Sequence, residues 1–229
     1  MKKYRGVLFD LDGTLVDSFD FHSQIICQYL LRLGYRVDIR QVSMNIGNTM
    51  TCVLDGCGVA QKEQPTIVCE IDDFYLHSDQ LRHLALVPGA RELLAELKRC
   101  AVKTGILSNS KQALVEMIVR QNQAEKLFDL IDGATAQALN KETRCALAMR
   151  ELGLRADQVL YVGDTRHDIR LARSFGMDVC IINGPIGWEE DYGNLIETQH
   201  PEYVVKHIGS VWEAVGGDSF IPLCKHKQT

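Results

Sequence analysis

The stretch GVLFDLDGTLVDS, residues 6–18, starts as an apolar strand and then places carboxylates at Asp10, Asp12 and Asp17. A continuous apolar run of this kind is typical of a strand that is buried on both faces of a sheet. Carboxylates that follow such a strand are costly to bury unless a cation or hydrogen-bond donors accompany them. The stretch therefore predicts a core strand that ends in a charged site.

The rest of the chain predicts an α/β core that is interrupted by helices. Residues 18–86 show no comparable strand, and their apolar residues recur at helical spacing. After residue 86 the predicted helices and strands alternate, which is typical of parallel βαβ units with helices on both faces of the sheet. We therefore predict a Rossmann-like parallel sheet formed by residues 1–16 and 86–229, with an inserted α-helical cap domain at residues 17–85.

The composition argues against several classes of protein. The 229 residues carry a net charge of -5, whereas nucleic-acid binding calls for a basic surface. No apolar run approaches the roughly 20 residues that span a bilayer, and Asp10 interrupts the apolar stretch that a signal peptide would need. We expect a cytoplasmic protein with no nucleic-acid or membrane partner. A monomer and a homodimer both remain open.

The eight cysteines show no CxxC pair, and most of them lie in apolar periodic segments. A zinc site or a disulfide framework needs a more regular spacing than this. We therefore expect buried, reduced thiols.

Polar residues follow the predicted core strands at intervals along the chain. They are Asp10 and Asp12, then Ser108 and Asn109, then Lys141, and finally Asp164 and Asp168. Parallel strands bring their carboxyl ends to one edge of a sheet, which is where open α/β sheets bind ligands. Each residue alone also has an ordinary explanation as a turn, a helix cap or a solvated lysine. We prefer that ordinary explanation for four flanking residues, namely Ser110, Thr165, Arg166 and His167.

The motifs DLDGT (10–14), ILSNS (106–110) and GDTRHD (163–168), with Lys141 between the last two, resemble those of the haloacid dehalogenase superfamily in the same order. The chain is most similar to the phosphoglycolate phosphatase-like branch of that superfamily, which carries an inserted helical cap. The resemblance covers the whole core. One departure concerns the third motif, in which the family usually has proline after the lysine, whereas Glu142 follows Lys141 here.

The resemblance implies a Mg²⁺-dependent phosphatase that acts on a small phosphorylated metabolite through an aspartyl-phosphate. The implied catalytic residues are Asp10 as nucleophile, Asp12 as acid and base, Ser108 and Lys141. The implied phosphate-binding residues are Gly13, Thr14, Ser108, Asn109 and Lys141. The implied metal-binding residues are Asp10, Asp12 through its carbonyl, Asp164, and Asp168, which either lies behind the ligands or pairs with Lys141. Hard oxygen donors of this type suit Mg²⁺, and a lysine adds fixed positive charge for an anionic ester.

The cap residues predict less about the substrate. His22 either reaches the substrate or packs on its helix face, and the loop around Gly47 and Asn48 resembles a substrate-facing loop. Asp17 belongs to the hinge before the cap. Two alternatives to a phosphatase stay open: a phosphosugar mutase of the β-phosphoglucomutase type, and a binding protein that has lost catalysis. Asp12 argues against a dehalogenase, because a halide leaves without a proton.

Overall fold

The computed structural model describes residues 4–47, 49–135 and 140–216. Its centre is a six-stranded sheet in which all paired strands run parallel, in the order β3-β2-β1-β4-β5-β6. The strands are β1 (Gly6–Phe9), β2 (Lys103–Lys111), β3 (Leu130–Ala134), β4 (Val159–Gly163), β5 (Asp178–Ile182) and β6 (Tyr203–Val205). The predicted α/β parallel sheet is confirmed.

The first strand lies in the middle of this sheet. Phe9 at the end of β1 pairs with Ile106 of β2 on one side and with Val162 of β4 on the other. The chain builds outward from β1 in both directions, so the order of strands reverses beside it. Open α/β sheets form their ligand crevice at such a point, beyond the carboxyl ends of the strands. The residues that follow β1 and β4 therefore lie at the expected binding edge.

Ten α-helices accompany the strands in the described residues. They are α1 (Phe19–Arg32), α2 (Ile39–Ser43), α3 (Met50–Gly56), α4 (Gln64–Leu76), α5 (Ala90–Arg99), α6 (Gln112–Gln121), α7 (Lys141–Leu152), α8 (Arg166–Phe175), α9 (Tyr192–Gln199) and α10 (Val211–Ala214). Short 3₁₀ turns cover Asp79–His83, Glu125–Leu127, Ala156–Gln158 and Ile208–Ser210.

Both faces of the sheet are buried. Side chains of successive strand residues point to opposite faces, so Val7 and Phe9 join one apolar cluster and Leu8 joins the other. All four residues of β1 are buried, which explains why its sequence is continuously apolar instead of alternating.

The segment between β1 and α5 is helical, and two neighbouring connections join it to the sheet. Val16 forms an antiparallel bridge with Leu86, so the outgoing and returning chain lie side by side. Asp72 of α4 pairs with Lys111 at the end of β2, with 3.2 Å between Oδ2 and Nζ. The helical segment therefore contacts the same sheet edge that carries the predicted polar residues.

The cysteines only partly match the expectation. Cys27, Cys57, Cys145 and Cys180 are buried thiols, but Cys52 and Cys69 are exposed, so the expectation was wrong for those two. They lie on the outward faces of α3 and α4, where apolar spacing alone does not reveal exposure. No helix in the described part of the chain is long and apolar enough to cross a membrane.

Candidate active site

Three buried carboxylates meet where β1 and β4 end. Oxygen atoms of Asp10, Asp164 and Asp168 all lie within 4.8 Å of one another. Asp10 and Asp164 directly follow the two strands, and Asp168 lies in the first turn of α8. Carboxylate oxygens are the ligands that hard cations such as Mg²⁺ prefer. This carboxylate cluster has the donor type and the spacing that a metal ion requires.

Lys141, the first residue of α7, contacts the carboxylate cluster. Its Nζ donates to Asp10 Oδ1 at 2.7 Å and to Asp168 Oδ1 at 3.3 Å, and it lies 5.6 Å from the centre of the Tyr161 ring. Burial acts to lower the pKa of Lys141, but Asp10, Tyr161 and Asp168 outweigh it and hold the pKa well above its usual value. The ammonium group therefore stays charged inside the protein.

One ammonium group does not neutralise three carboxylates. Burial, together with the charges of Asp168 and Asp12, raises the pKa of Asp10 to about 7, although Lys141 acts in the opposite direction. Burial and the charges of Asp168 and Asp10 raise the pKa of Asp164 well above its usual value. A divalent cation would be the largest local charge and would reverse this repulsion. The charge balance of the cluster therefore favours a bound cation.

Asp168 is held through both of its carboxylate oxygens. Oδ1 faces Lys141, and Oδ2 accepts from the main-chain N–H of Thr165 at 3.0 Å and from its hydroxyl at 2.8 Å. Burial acts to raise the pKa of Asp168, but Lys141 and Thr165 outweigh it and keep the pKa below its usual value. Asp168 is thus an ionised carboxylate that anchors both the lysine and the start of α8.

The side chain of Asp12 has a separate set of partners. Oδ1 accepts from Ser18 Oγ at 2.7 Å and lies 3.0 Å from His22 Nε2, while Oδ2 accepts from Ser108 Oγ at 3.2 Å and from Ser110 Oγ at 2.7 Å. Burial acts to raise the pKa of Asp12, but His22 and the hydroxyls outweigh it and hold the pKa at about 2. Asp12 is therefore ionised in the free protein.

Ser108 and Ser110 reach Asp12 together because both belong to β2. Residues two positions apart on a strand point to the same face, and both hydroxyls lie on the Asp12 side. The ordinary explanation preferred for Ser110 was wrong. The alternative in which Ser108 or Asn109 caps the next helix is also not observed, since Lys111 is the N-cap residue of α6.

The turn after Asp12 approaches Asp164 closely. Gly13 has φ 73°, and a Cβ atom added there would lie 2.5 Å from Asp164 Oδ2 and 2.8 Å from Trp188 Cδ1. Thr14 Oγ1 donates to Asp164 Oδ1 at 3.1 Å. Only glycine fits at position 13, because the positive φ and the nearby atoms of Asp164 and Trp188 both exclude a side chain. The turn at residues 12–14 is therefore packed directly against Asp164 at the end of β4.

Trp188, in the loop after β5, covers this turn. Its main-chain N–H donates to Asp164 Oδ2 at 2.6 Å, and its ring packs edge-on against Phe19 and His22 at centroid distances of 5.9 and 5.5 Å. A Cβ atom on Gly47 would lie 3.6 Å from the ring. Trp188 therefore joins the carboxylate cluster to the helical segment. Nothing in the local sequence indicates this role.

His22 bridges the helical segment and Asp12. Its Nδ1 lies 3.0 Å from the Tyr75 hydroxyl of α4, and its Nε2 contacts Asp12. The contact with Tyr75 agrees with the alternative in which His22 packs within the helical segment, while the contact with Asp12 was not anticipated. Asn48, the remaining predicted cap residue, lies outside the described residues.

The other flanking residues have structural partners. Thr165 is the N-cap residue of α8, and Arg166 pairs with Glu189, with 3.1 Å between Nε and Oε2. His167 is exposed. The structure supports the ordinary explanation for all three.

Arg144 is a site residue that the sequence analysis missed. It is 2% exposed, and it contacts Asp132 of β3 as well as Ser108 and Asn109 at the end of β2. A usable signal was present, because residues three apart on a helix share a face. Lys141 and Arg144 have that spacing.

Replacing Gly163 with alanine should disturb the carboxylate cluster. The new Cβ atom would lie 2.6 Å from Asp168 Cβ and closer still to its carboxyl group, so the Asp168 side chain must shift from its present position. We expect the free energy of unfolding to fall by about 1–3 kcal/mol in urea titrations. Gly193→Ala in α9, where the nearest atom is Asp191 Oδ1 at 3.3 Å, is the control and should stay within about 1 kcal/mol of wild type. Equal stability of the two variants would contradict this packing.

The chain is similar in sequence to known hydrolases. The family model of haloacid dehalogenase-like hydrolases matches residues 7–182. A phosphoglycolate phosphatase of Yersinia pestis is 29% identical over 223 residues, which cover 94% of each chain. Another from Vibrio parahaemolyticus is 29% identical over 225 residues, covering 91% of this chain and 95% of that protein.

Solved structures show the same fold. A haloacid dehalogenase-like family hydrolase from Streptococcus pneumoniae superposes with a TM-score of 0.81 at 21% identity, covering 93% of this chain and 99% of that one. The family match covers most of the chain, including β1, β2 and β4 with the polar residues that follow them. This protein therefore belongs to the haloacid dehalogenase-like hydrolase family.

Proposed function

We propose that this protein is a Mg²⁺-dependent phosphatase that hydrolyses a small phosphate monoester, phosphoglycolate or a similar metabolite, through an aspartyl-phosphate. The observation that carries the proposal is the buried carboxylate cluster with Lys141, adjacent to an independently held Asp12. Relatives named phosphoglycolate phosphatase support the substrate class.

The cluster fits a magnesium ion by its chemistry. Its donors are carboxylate oxygens, and the raised pKa values of Asp10 and Asp164 reflect negative charge that Lys141 alone does not balance. The ion would be held by Asp10, Asp164 and the main-chain carbonyl of Asp12. Asp168 would lie next to these ligands and orient them. When bound, the ion supplies positive charge that allows an anionic nucleophile to approach an anionic phosphate.

Asp10 is the proposed nucleophile. A carboxylate oxygen of Asp10 forms a bond to phosphorus while the bond from phosphorus to the ester oxygen breaks, and Asp12 gives a proton to that departing oxygen. Water then attacks phosphorus, Asp12 takes the proton from the water, and the bond to Asp10 breaks. Both carboxyl groups return to their starting states, and one ester becomes one alcohol and one phosphate.

Asp12 must gain a proton before it can act as the acid. Its pKa of about 2 in the free protein means that the group begins as a carboxylate. A bound phosphate dianion nearby raises the proton affinity of a carboxylate by repulsion. We infer that substrate binding and proton uptake by Asp12 are coupled.

The phosphoryl oxygens are held by donors from two segments, namely the Ser108 hydroxyl with the Asn109 N–H, and Lys141. The main-chain N–H groups of Gly13 and Thr14, which the family resemblance also implies, instead donate to the carbonyls of Val16 and Leu11. Donors fixed before the reaction stabilise developing charge without reorganisation. Ser108 is buried and hydrogen-bonded to Asp12, and Lys141 is held by Asp10 and Asp168, which supports such a fixed arrangement.

Residues 17–85 are the proposed cap domain over this site. His22 contacts Asp12, Asp72 pairs with Lys111, and Gly47 lies against Trp188. The His22 contact places the helical segment beside Asp12, the proposed proton donor to the leaving group. The proposed cap therefore lies next to the alcohol portion of the ester and selects it.

The direct test is release of inorganic phosphate from a panel of metabolite monoesters, with and without Mg²⁺. Hydrolysis that requires Mg²⁺ and prefers a small ester is the expected result. Isomerisation of a sugar phosphate that depends on a sugar bisphosphate would instead identify a mutase. No turnover of any ester would favour a binding protein.

Mg²⁺ should stabilise the wild-type protein, and Asp164→Asn should abolish that stabilisation. A ligand that binds only the folded state at 100 times its Kd adds about 2.7 kcal/mol to the free energy of unfolding. Thermal unfolding with increasing Mg²⁺ measures the effect. Asp157→Asn, at an exposed carboxylate, is the control and should keep the full response. An unchanged response in Asp164→Asn would exclude this aspartate as a ligand.

A further inference from the structure

Arg144 occupies a position where an arginine is energetically unfavourable. It lies in the first turn of α7, where positive charge opposes the helix dipole. It is also 2% exposed, and a buried guanidinium group is costly unless its hydrogen bonds are satisfied. Its Nε has no hydrogen-bond partner among the described residues, so the contacts of Nη1 and Nη2 must compensate for both effects.

Arg144 contacts the end of β2 and one residue of the neighbouring strand β3. Nη1 donates to Asp132 Oδ2 at 2.8 Å, while Nη2 donates to the Ser108 carbonyl at 2.8 Å and to Asn109 Oδ1 at 3.4 Å. The ion pair with Asp132 alone does not require burial, since that carboxylate side chain is 25% exposed. The contacts that need a buried arginine are those with Ser108 and Asn109.

The Ser108 carbonyl and the Asn109 N–H belong to one peptide group. A trans peptide is planar, so its C=O and N–H point in opposite directions. Because Arg144 holds the carbonyl on its own side, the Asn109 N–H is oriented away from Arg144. A hydrogen bond accepted by the carbonyl also polarises the N–H and makes it a better donor.

We propose that Arg144 is a positioning residue that orients the Ser108–Asn109 peptide so that its N–H faces the phosphoryl group. The proposal rests on the function proposed above, in which this N–H holds phosphoryl oxygens. Lys141 and Arg144 then act from one turn of α7, the first on the carboxylate cluster and the second on the peptide. Arg144 does not touch the substrate itself.

The test compares Arg144→Gln with Asp132→Asn. Both variants lose the ion pair, but only Arg144→Gln loses the contact with the Ser108 carbonyl. We expect Arg144→Gln to lower kcat by about 10- to 100-fold on the ester that the wild type hydrolyses fastest, whereas Asp132→Asn stays within about threefold because that contact remains. Urea titrations establish that each variant is folded. If Arg144→Gln does not fold, Arg144→Met takes its place with the same expected loss of kcat, because a buried charge can often be replaced by an apolar side chain without loss of stability and methionine has no donor for the carbonyl.

A second readout is the Asn109 amide signal in ¹H–¹⁵N spectra during titration with inorganic phosphate and Mg²⁺. We expect the signal to shift in the wild type and in Asp132→Asn, and to respond weakly in Arg144→Gln. A wild-type kcat or a wild-type Asn109 response in the folded arginine variant overturns the proposal. A wild type that hydrolyses no ester refutes the proposed function instead, and the phosphate titration then still tests the peptide orientation.

Discussion

Asp10→Asn should lower phosphatase turnover by at least about 10⁴-fold, because an amide cannot form the phosphorylated intermediate. The fold should persist. Asp10 is a buried carboxylate next to Asp168, and the asparagine removes that repulsion while Lys141 keeps Asp168 as a partner. The measurements are steady-state phosphate release and the free energy of unfolding in urea. Mass spectrometry of acid-quenched wild type should also detect one added phosphoryl group, which the variant lacks.

The matched control is Asp17→Asn. Asp17 lies seven residues after Asp10, and its side chain is exposed. We expect wild-type turnover from this variant, since Asp17 belongs to the hinge and has no proposed part in the reaction. Substantial turnover by Asp10→Asn would remove Asp10 from the role of nucleophile, whatever the control shows.

Asp12→Ala should lower turnover by about 10²- to 10⁴-fold, which is the usual contribution of a general acid and base. The loss should depend on the leaving group. An alkyl ester needs a proton on its departing oxygen, whereas p-nitrophenolate leaves readily without one. The rate of the first step should therefore fall less for p-nitrophenyl phosphate than for an alkyl ester. Rates measured over a series of esters give the slope of turnover against leaving-group pKa, and the slope should steepen in the variant.

Asp20→Ala, at an exposed carboxylate in the first turn of α1, is the control for this series and should keep the wild-type slope. The same slope in wild type and in Asp12→Ala would contradict the acid role. The serine hydroxyls around Asp12 would then be read as a structural network that stabilises a buried carboxylate.

Much of the architecture was predictable because its signals are local. The apolar run of β1 and the alternation of helices and strands report burial and periodicity within a few residues. Parallel strands then imply that Asp10, Ser108 and Asp164 meet at one edge. The exposure of Cys52 and Cys69 was not predictable in the same way. It depends on which faces of α3 and α4 pack against other parts of the protein.

The partners of the site residues were decided by contacts between distant parts of the chain. Ser110 is 98 positions from Asp12 in sequence, and its hydroxyl reaches that carboxylate because β2 lies beside β1 in a particular register. Trp188 reaches Asp164 only because the loop after β5 turns back over β4. Arg144 reaches the Ser108 carbonyl only because α7 packs against the end of β2.

The amino-acid sequence by itself thus determined the sheet, the order of the motifs and the chemical identity of the carboxylates and the lysine. These depend on side-chain type and on spacing over a few residues. The tertiary structure alone decided that Asp12 is held apart from the carboxylate cluster by its own donors, and that Arg144 and Trp188 brace the site. The physical reason is that hydrogen bonds between remote residues require distances within a few tenths of an ångström, and only the packed fold sets those distances.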